Sequence, residues 1–129
     1  SSDNELIAII IKASFKSKSG PNFITEHEST IQLGFLNYPT NHIIKTHKHI
    51  VDINYNIKNL AECLIIKKGT IEMKLFSNHK VLLSTSILHK DDIVLLYSGY
   101  HGFKILENCE MIEIKQGPYE ISEKEFLNE

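Results

Sequence analysis

The spacing of apolar residues constrains this chain most. They come in short runs rich in Ile, Leu and Val, separated by polar or Gly/Pro/Asn-containing breaks, with no long helical stripe among them. That pattern is the mark of an all-β sandwich or barrel. Candidate strands are Leu6 to Phe15, Thr30 to Leu36, His42 to His49, Glu62 to Lys67, Thr70 to Phe76, Lys80 to Leu88, Ile93 to Tyr97, Gly102 to Ile105 and Met111 to Gln116. In Thr70–Leu75 the alternation is strict, so Ile71, Met73 and Leu75 are expected to point inward and Glu72 and Lys74 toward solvent. Lys68-Gly69 between two runs reads as a tight hairpin turn, glycine supplying a positive φ. Only Ser122 to Leu127 looks helical, because Ser122 and Glu125 resemble a capping box.

A length of 129 residues suits one domain, 1–129, with a single core, and no linker or internal repeat divides it. Hydrophobic residues make up 42% and charged residues 23%, which separates the chain from disordered sequences. Net charge is -2, and all 14 basic residues are lysines, scattered along the chain. Without a basic patch or a single arginine, nucleic acid is not expected as a partner. The longest unbroken apolar run, Leu6 to Ile11, is far shorter than the about 20 residues that span a bilayer. A membrane partner and a signal peptide are therefore not expected. Cys63 and Cys109 form no CxxC pair, and two reduced thiols in a cytoplasmic protein are the simpler reading.

Three separated features carry possible chemistry. The first is Thr46-His47-Lys48-His49: on an extended strand, residues two apart project on one side about 6.6 Å apart, so both imidazoles can converge on one ion. Alternating histidines also occur on wet strand faces, and the pair alone favours that plainer reading. The second is Glu62, which opens the apolar run Cys63-Leu64-Ile65-Ile66 and shares parity with Leu64 and Ile66. If those two point inward, so does the glutamate, and a buried carboxylate needs a cation or donors to compensate it. A solvated strand-end glutamate is the alternative. The third is His101, with Gly99 and Gly102 near it to let the backbone bend and aim the ring; by itself it reads as structural.

Taken together, the order HxH, then Glu62 with Gly69 after six intervening residues, then Gly-x-His resembles the two metal motifs of the cupin superfamily. Met111-Ile112-Glu113-Ile114-Lys115-Gln116-Gly117-Pro118-Tyr119 is further similar to the ending of a group of small bacterial cupins. The resemblance covers roughly Thr30 to Gln116. It implies a double-stranded β-helix, or jelly-roll, cupin barrel, with His47, His49, Glu62 and His101 around a divalent ion; it implies no particular reaction. The chain departs from the pattern in several places. Twelve residues separate His49 from Glu62 where the general motif has three or four, so Ile50 to Ala61 is expected to loop over the barrel mouth. Lys90 and Tyr97 replace a usual glycine and proline, and Gly99 precedes His101 by two positions rather than three.

Three imidazoles and a carboxylate suit Fe, Mn, Ni, Co or Zn, and relative affinities do not choose among them. Positions left open for water or substrate would make the ion a Lewis acid, whereas four ligands around tetrahedral zinc would close it. Glu113 and Lys115 share parity near the end of the last run and are weak candidates for an acid/base pair; an exposed ion-pairing face is the alternative. His27, His42, His79 and His89 have no partner at ligand spacing and are expected at the surface. No phosphate loop, dinucleotide fingerprint or nucleophile elbow is present. Two functions stand: a metal-dependent enzyme acting on a small polar metabolite such as a sugar derivative, and a non-catalytic module binding a small-molecule ligand. A homodimer is expected, with Leu6 to Ile11 as an edge that pairs with a second subunit.

Overall fold

The computed structural model describes residues 5–50, 60–117 and 125–127. Among them the chain is all β, with no helix: β1 (Ala8–Ile11), β2 (Gly20–Phe23), β3 (Gly34–Asn37), β4 (Glu62–Phe76), β5 (Leu82–Leu88), β6 (Ile93–Leu96) and β7 (Tyr100–Lys115). Contacts divide the chain into two units, one of Ser1–Phe15 with Asn59–Glu129, the other of Lys16–Lys58.

The larger unit is built around β4. Its first residues, Glu62 to Ile65, lie between β6 and β7, while Ile71 to Phe76 lie between β5 and β7. β1 then extends the sheet beyond β6. Cross-strand partners share a face, so Leu64, Ile66, Ile71, Met73 and Leu75 of β4 join Leu88 of β5 and Val94 and Leu96 of β6 in one buried cluster. Ile71 and Met73 are fully buried and Glu72 and Lys74 half-buried, the alternation expected of this segment. On the opposite face, Ile11, Cys63 and Leu95 are buried as well. Both cysteines are free thiols, and burial pushes the Cys63 thiol up.

Lys68-Gly69 does not make the expected hairpin. Gly69 does adopt a positive φ of 88°, but the chain continues as a single strand, and the register with β7 shifts three times between Ile66 and Ile71. A cluster of bulges therefore bends the β4–β7 ribbon where a turn was expected. Glycine is required at the bend: a Cβ on Gly69 would lie 2.1 Å from the Asn108 carbonyl oxygen. The runs Gly102 to Ile105 and Met111 to Gln116 merge for the same reason into the 16-residue β7.

Asp92, between β5 and β6, fastens this bend. Its Oδ2 accepts from Lys12 Nζ at 2.6 Å and from the His89 amide at 2.7 Å, and its Oδ1 accepts from the Ala13 amide at 2.9 Å. The Asp91 amide donates to the Ile66 carbonyl at 2.7 Å, and the Ile66 amide to the Asp92 carbonyl at 3.0 Å. Thus the β5–β6 turn is tied to the last regular residue of β4 before the bulges.

The smaller unit is a two-stranded sheet, with Gly20 opposite Asn37 and Phe23 opposite Gly34. Gly20-Pro21 opens β2; a proline is tolerated in such an edge strand because its missing N–H need not pair. The connecting loop is gathered by Gln32, whose Nε2 donates to the carbonyls of Glu26, His27 and Ser29. His42 to His49 is not a strand: residues 41–50 are all exposed and irregular. Branched side chains at Ile43, Ile44 and Thr46 favour an extended backbone, but β propensity acts through packing, which these exposed residues do not gain.

Of the helix expected over Ser122 to Leu127, residues 122–124 lie outside the described residues. Glu125 to Leu127 carry no helix, and Glu125 instead accepts a hydrogen bond from the Tyr100 hydroxyl at 2.5 Å. The loop expected over Ile50 to Ala61 also falls mainly outside the described residues. No helix among the described residues is long and apolar enough to cross a membrane.

Candidate metal centre

Glu62 begins β4 on the inward face, in step with buried Leu64 and Ile66, as parity requires. His101 sits near the start of β7, opposite Leu75 at the other end of β4. A straight strand from Glu62 to Leu75 would span roughly 43 Å at about 3.3 Å per residue. Yet His101 Nε2 lies only 3.9 Å from Glu62 Oε1. The ribbon has therefore bent back on itself, and the Gly69 bulges bring its two ends face to face.

The pair is shielded but not sealed: 19% of the Glu62 side chain and 32% of the His101 side chain are exposed. Phe103, two residues along the same face, lies against the His101 ring with centroids 5.8 Å apart. Gln116 Oε1 accepts from the Ala61 amide at 3.0 Å and anchors the residue before Glu62. Gly99, with φ 76°, turns the chain into β7, and a Cβ there would stand 2.3 Å from the Phe76 carbonyl oxygen. Gly102 has open space around it, so only one of the two neighbouring glycines is needed for the bend.

Lys115 is directly opposite Glu62, and Glu113 opposite Leu64. Both thus belong to the face that carries Glu62, with Lys115 half-buried and Glu113 exposed.

In the smaller unit, His47 and His49 approach edge to face, centroids 5.1 Å apart, without the strand expected to align them. His47 Nδ1 is 2.7 Å from the Lys45 carbonyl oxygen. A carbonyl only accepts, so this nitrogen donates, and in the neutral ring that leaves the lone pair on Nε2, the arrangement found in metal-ligating histidines. His42 stacks on Tyr38 with centroids 4.4 Å apart. His27, His79 and His89 are at the surface.

The spacing within each pair is compatible with two ligands of one divalent ion. Metal bonds of about 2.0–2.2 Å allow two donors at most about 4.2 Å apart, so the Glu62–His101 separation can hold an ion after a small side-chain rotation. Two imidazoles on one ion have ring centres about 5 Å apart, given bonds of about 2.0–2.1 Å. Within either unit, among the described residues, no group of three His, Cys, Asp or Glu side chains could hold an ion. The structure brings Glu62 to His101 and His47 to His49.

Asp92, Phe103 and Gln116 escape a reading of the sequence. Asp91-Asp92 looks like turn chemistry, and the only signal for a buried acid is that a strongly apolar strand follows at once. The chain matches no protein-family model, no curated protein and no solved structure.

Proposed function

We propose that this chain is a cupin-type metal-binding protein, a jelly roll in which His47, His49, Glu62 and His101 share one divalent transition ion. The observation that carries the reading is the approach of Glu62 to His101 from opposite ends of a bent ribbon. Such convergence of a carboxylate and an imidazole on an inward, half-shielded face is of little use to stability alone, since a partly buried charge costs desolvation. The Nδ1 bond of His47 supports it independently by fixing a ligating tautomer.

An ion held there would supply Lewis-acid polarisation of a bound oxygen or a more acidic water. Around it, Glu62 and His101 would bind, Phe103 would hold the imidazole in place and keep water off one side, and Lys115 would set a positive charge across from the carboxylate. With open coordination positions, the protein acts as a metal-dependent enzyme on a small polar metabolite, such as a sugar derivative. A non-catalytic ligand-binding module is the second reading, favoured by the absence of a third metal-binding side chain beside Glu62 and His101 among the described residues of their unit.

Metal content decides the first point. Protein purified without chelator, or reconstituted with Fe, Mn, Ni, Co or Zn, is expected to hold about one equivalent by elemental analysis. Substituting His101→Ala or Glu62→Gln should weaken binding by more than the about 10–100-fold that loss of a supporting residue costs. Less than about a tenth of an equivalent after reconstitution overturns the reading. Equal affinity in the His47→Ala, His49→Ala double variant would remove those two from the site.

A further inference from the structure

β5 carries its hydroxyls on the face where a core strand would carry apolar side chains. Ser84 and Ser86 stand opposite Leu75 and Met73 of β4, and Leu88, farther along the same face, is fully buried. Ile87, on the other face, is exposed. Hydroxyls set against apolar neighbours cost desolvation unless they are bonded. Here the two half-buried serines bond to each other, Oγ to Oγ at 3.2 Å. Such a bond uses one of the pair's two O–H donors, which leaves the second donor and a lone pair on each oxygen for a further partner.

Register fixes what shares this face. Ser84, Leu75 and His101 form one cross-strand row, and Ser86, Met73 and Phe103 the next. All six belong to the larger unit. With strands about 4.8 Å apart, the backbone of each serine stands two spacings, about 9.6 Å, from that of His101 or Phe103. The row after these, Leu88, Ile71 and Ile105, is wholly apolar. Polarity in this three-stranded part is thus confined to the end where Glu62 approaches His101.

We propose that Ser84 and Ser86 set the specificity of the site by holding a neutral vicinal diol, as in a sugar or polyol, whose far oxygen meets the ion. Only that last contact rests on the reading of Glu62 and His101 as metal ligands. Two neighbouring hydroxyls on the protein meet two on a ligand donor to acceptor, because each group can both give and accept. An anionic group would find no partner here, since neither row contains a lysine. Phe103, at the far end of the Ser86 row, offers an apolar surface to the C–H face of such a ligand.

The double variant Ser84→Ala/Ser86→Ala separates recognition from architecture. If the hydroxyls serve a ligand, methyl groups suit their apolar neighbours at least as well, and the urea midpoint should equal or exceed that of wild type. Binding is read by titrating D-ribose, D-xylose, D-mannose and D-galactose, which between them present cis and trans vicinal diols, into isotope-labelled protein and following the amides of Ser84 and Ser86. At least one sugar should saturate wild type at millimolar concentration and bind the double variant about tenfold or more weakly. Thr85→Val, on the opposite face, should leave that affinity unchanged. No saturation by any of these sugars overturns the proposal. So does equal affinity in the double variant, or a lower urea midpoint, which would make the serines structural. Each titration is run with added Zn and in chelator, and Zn content should be the same in wild type and double variant. A serine-dependent affinity that persists in chelator while wild type takes up no Zn supports the diol site and refutes the metal reading alone.

Discussion

Asp92 is a carboxylate that is 1% exposed. Burial pushes its pKa up, but the hydrogen bond from Lys12, the His89 and Ala13 amides and the Lys12 charge together outweigh this and hold it below the ordinary value of 3.8. A depressed carboxyl adds stability that is complete above the unfolded-state pKa and vanishes as pH falls through the folded one. Asp92→Asn is therefore expected to lose about 2–3 kcal/mol at neutral pH, and the gap from wild type to narrow below about pH 4. Urea midpoints measured from pH 2 to 7 would show it; a gap that is constant over that range would refute it. Tyr100 offers a second test. Its phenol is raised above 10.0, chiefly by the hydrogen bond to Glu125, with smaller contributions from desolvation and from the Glu125 charge. Glu125→Gln should return it toward the ordinary value in a spectrophotometric titration, and no change would mean that the contact does not form in solution.

At the scale of elements, Gly69 decides the outcome. Gly69→Ala is expected to cost at least about 3 kcal/mol, because it adds a side chain at positive φ and against backbone. Gly102→Ala, in open space, should stay within about 0.5 kcal/mol of wild type. Equal midpoints for the two in urea would show that the bulge is not needed. The same residue shows what a sequence can convey. Alternation in Thr70–Leu75 was enough to set the inward face, and the parity of Glu62 with Leu64 and Ile66 was enough to turn the carboxylate inward. But a positive-φ glycine between two apolar runs serves a hairpin turn and a bulge equally well. What separates them is β7, about forty residues later in the chain, which covers both runs at once. Local pattern holds no record of that partner. Conversely, the β-prone His42 to His49 stays irregular, because propensity without a packing partner does not fix a strand. Asp92 was hidden for a similar reason, two of its three donors, Lys12 and Ala13, lying 80 and 79 positions before it.

For the whole molecule, the proposal that His47, His49, Glu62 and His101 bind one ion has a measurable footprint. Residues 41–50 are exposed and irregular, so their amides should exchange hydrogen rapidly in metal-free protein, while those of β4 at Leu64, Ile66 and Met73 should be among the slowest. Adding the ion should slow exchange around His47 and His49 together with that around Glu62 and His101. Protection at only one pair would limit the site to that pair.

The nesting of β7 over β4 also orders events in time. Phe76 meets Tyr100 across a short stretch of intervening chain, whereas Glu62 waits for Lys115. Loop closure makes the nearer contact easier, so the ribbon should zip from the Phe76 end toward Glu62. During synthesis, the carboxylate would then remain unsheltered until Lys115 has cleared the ribosome, and the His101 ring would be in position first, waiting for it.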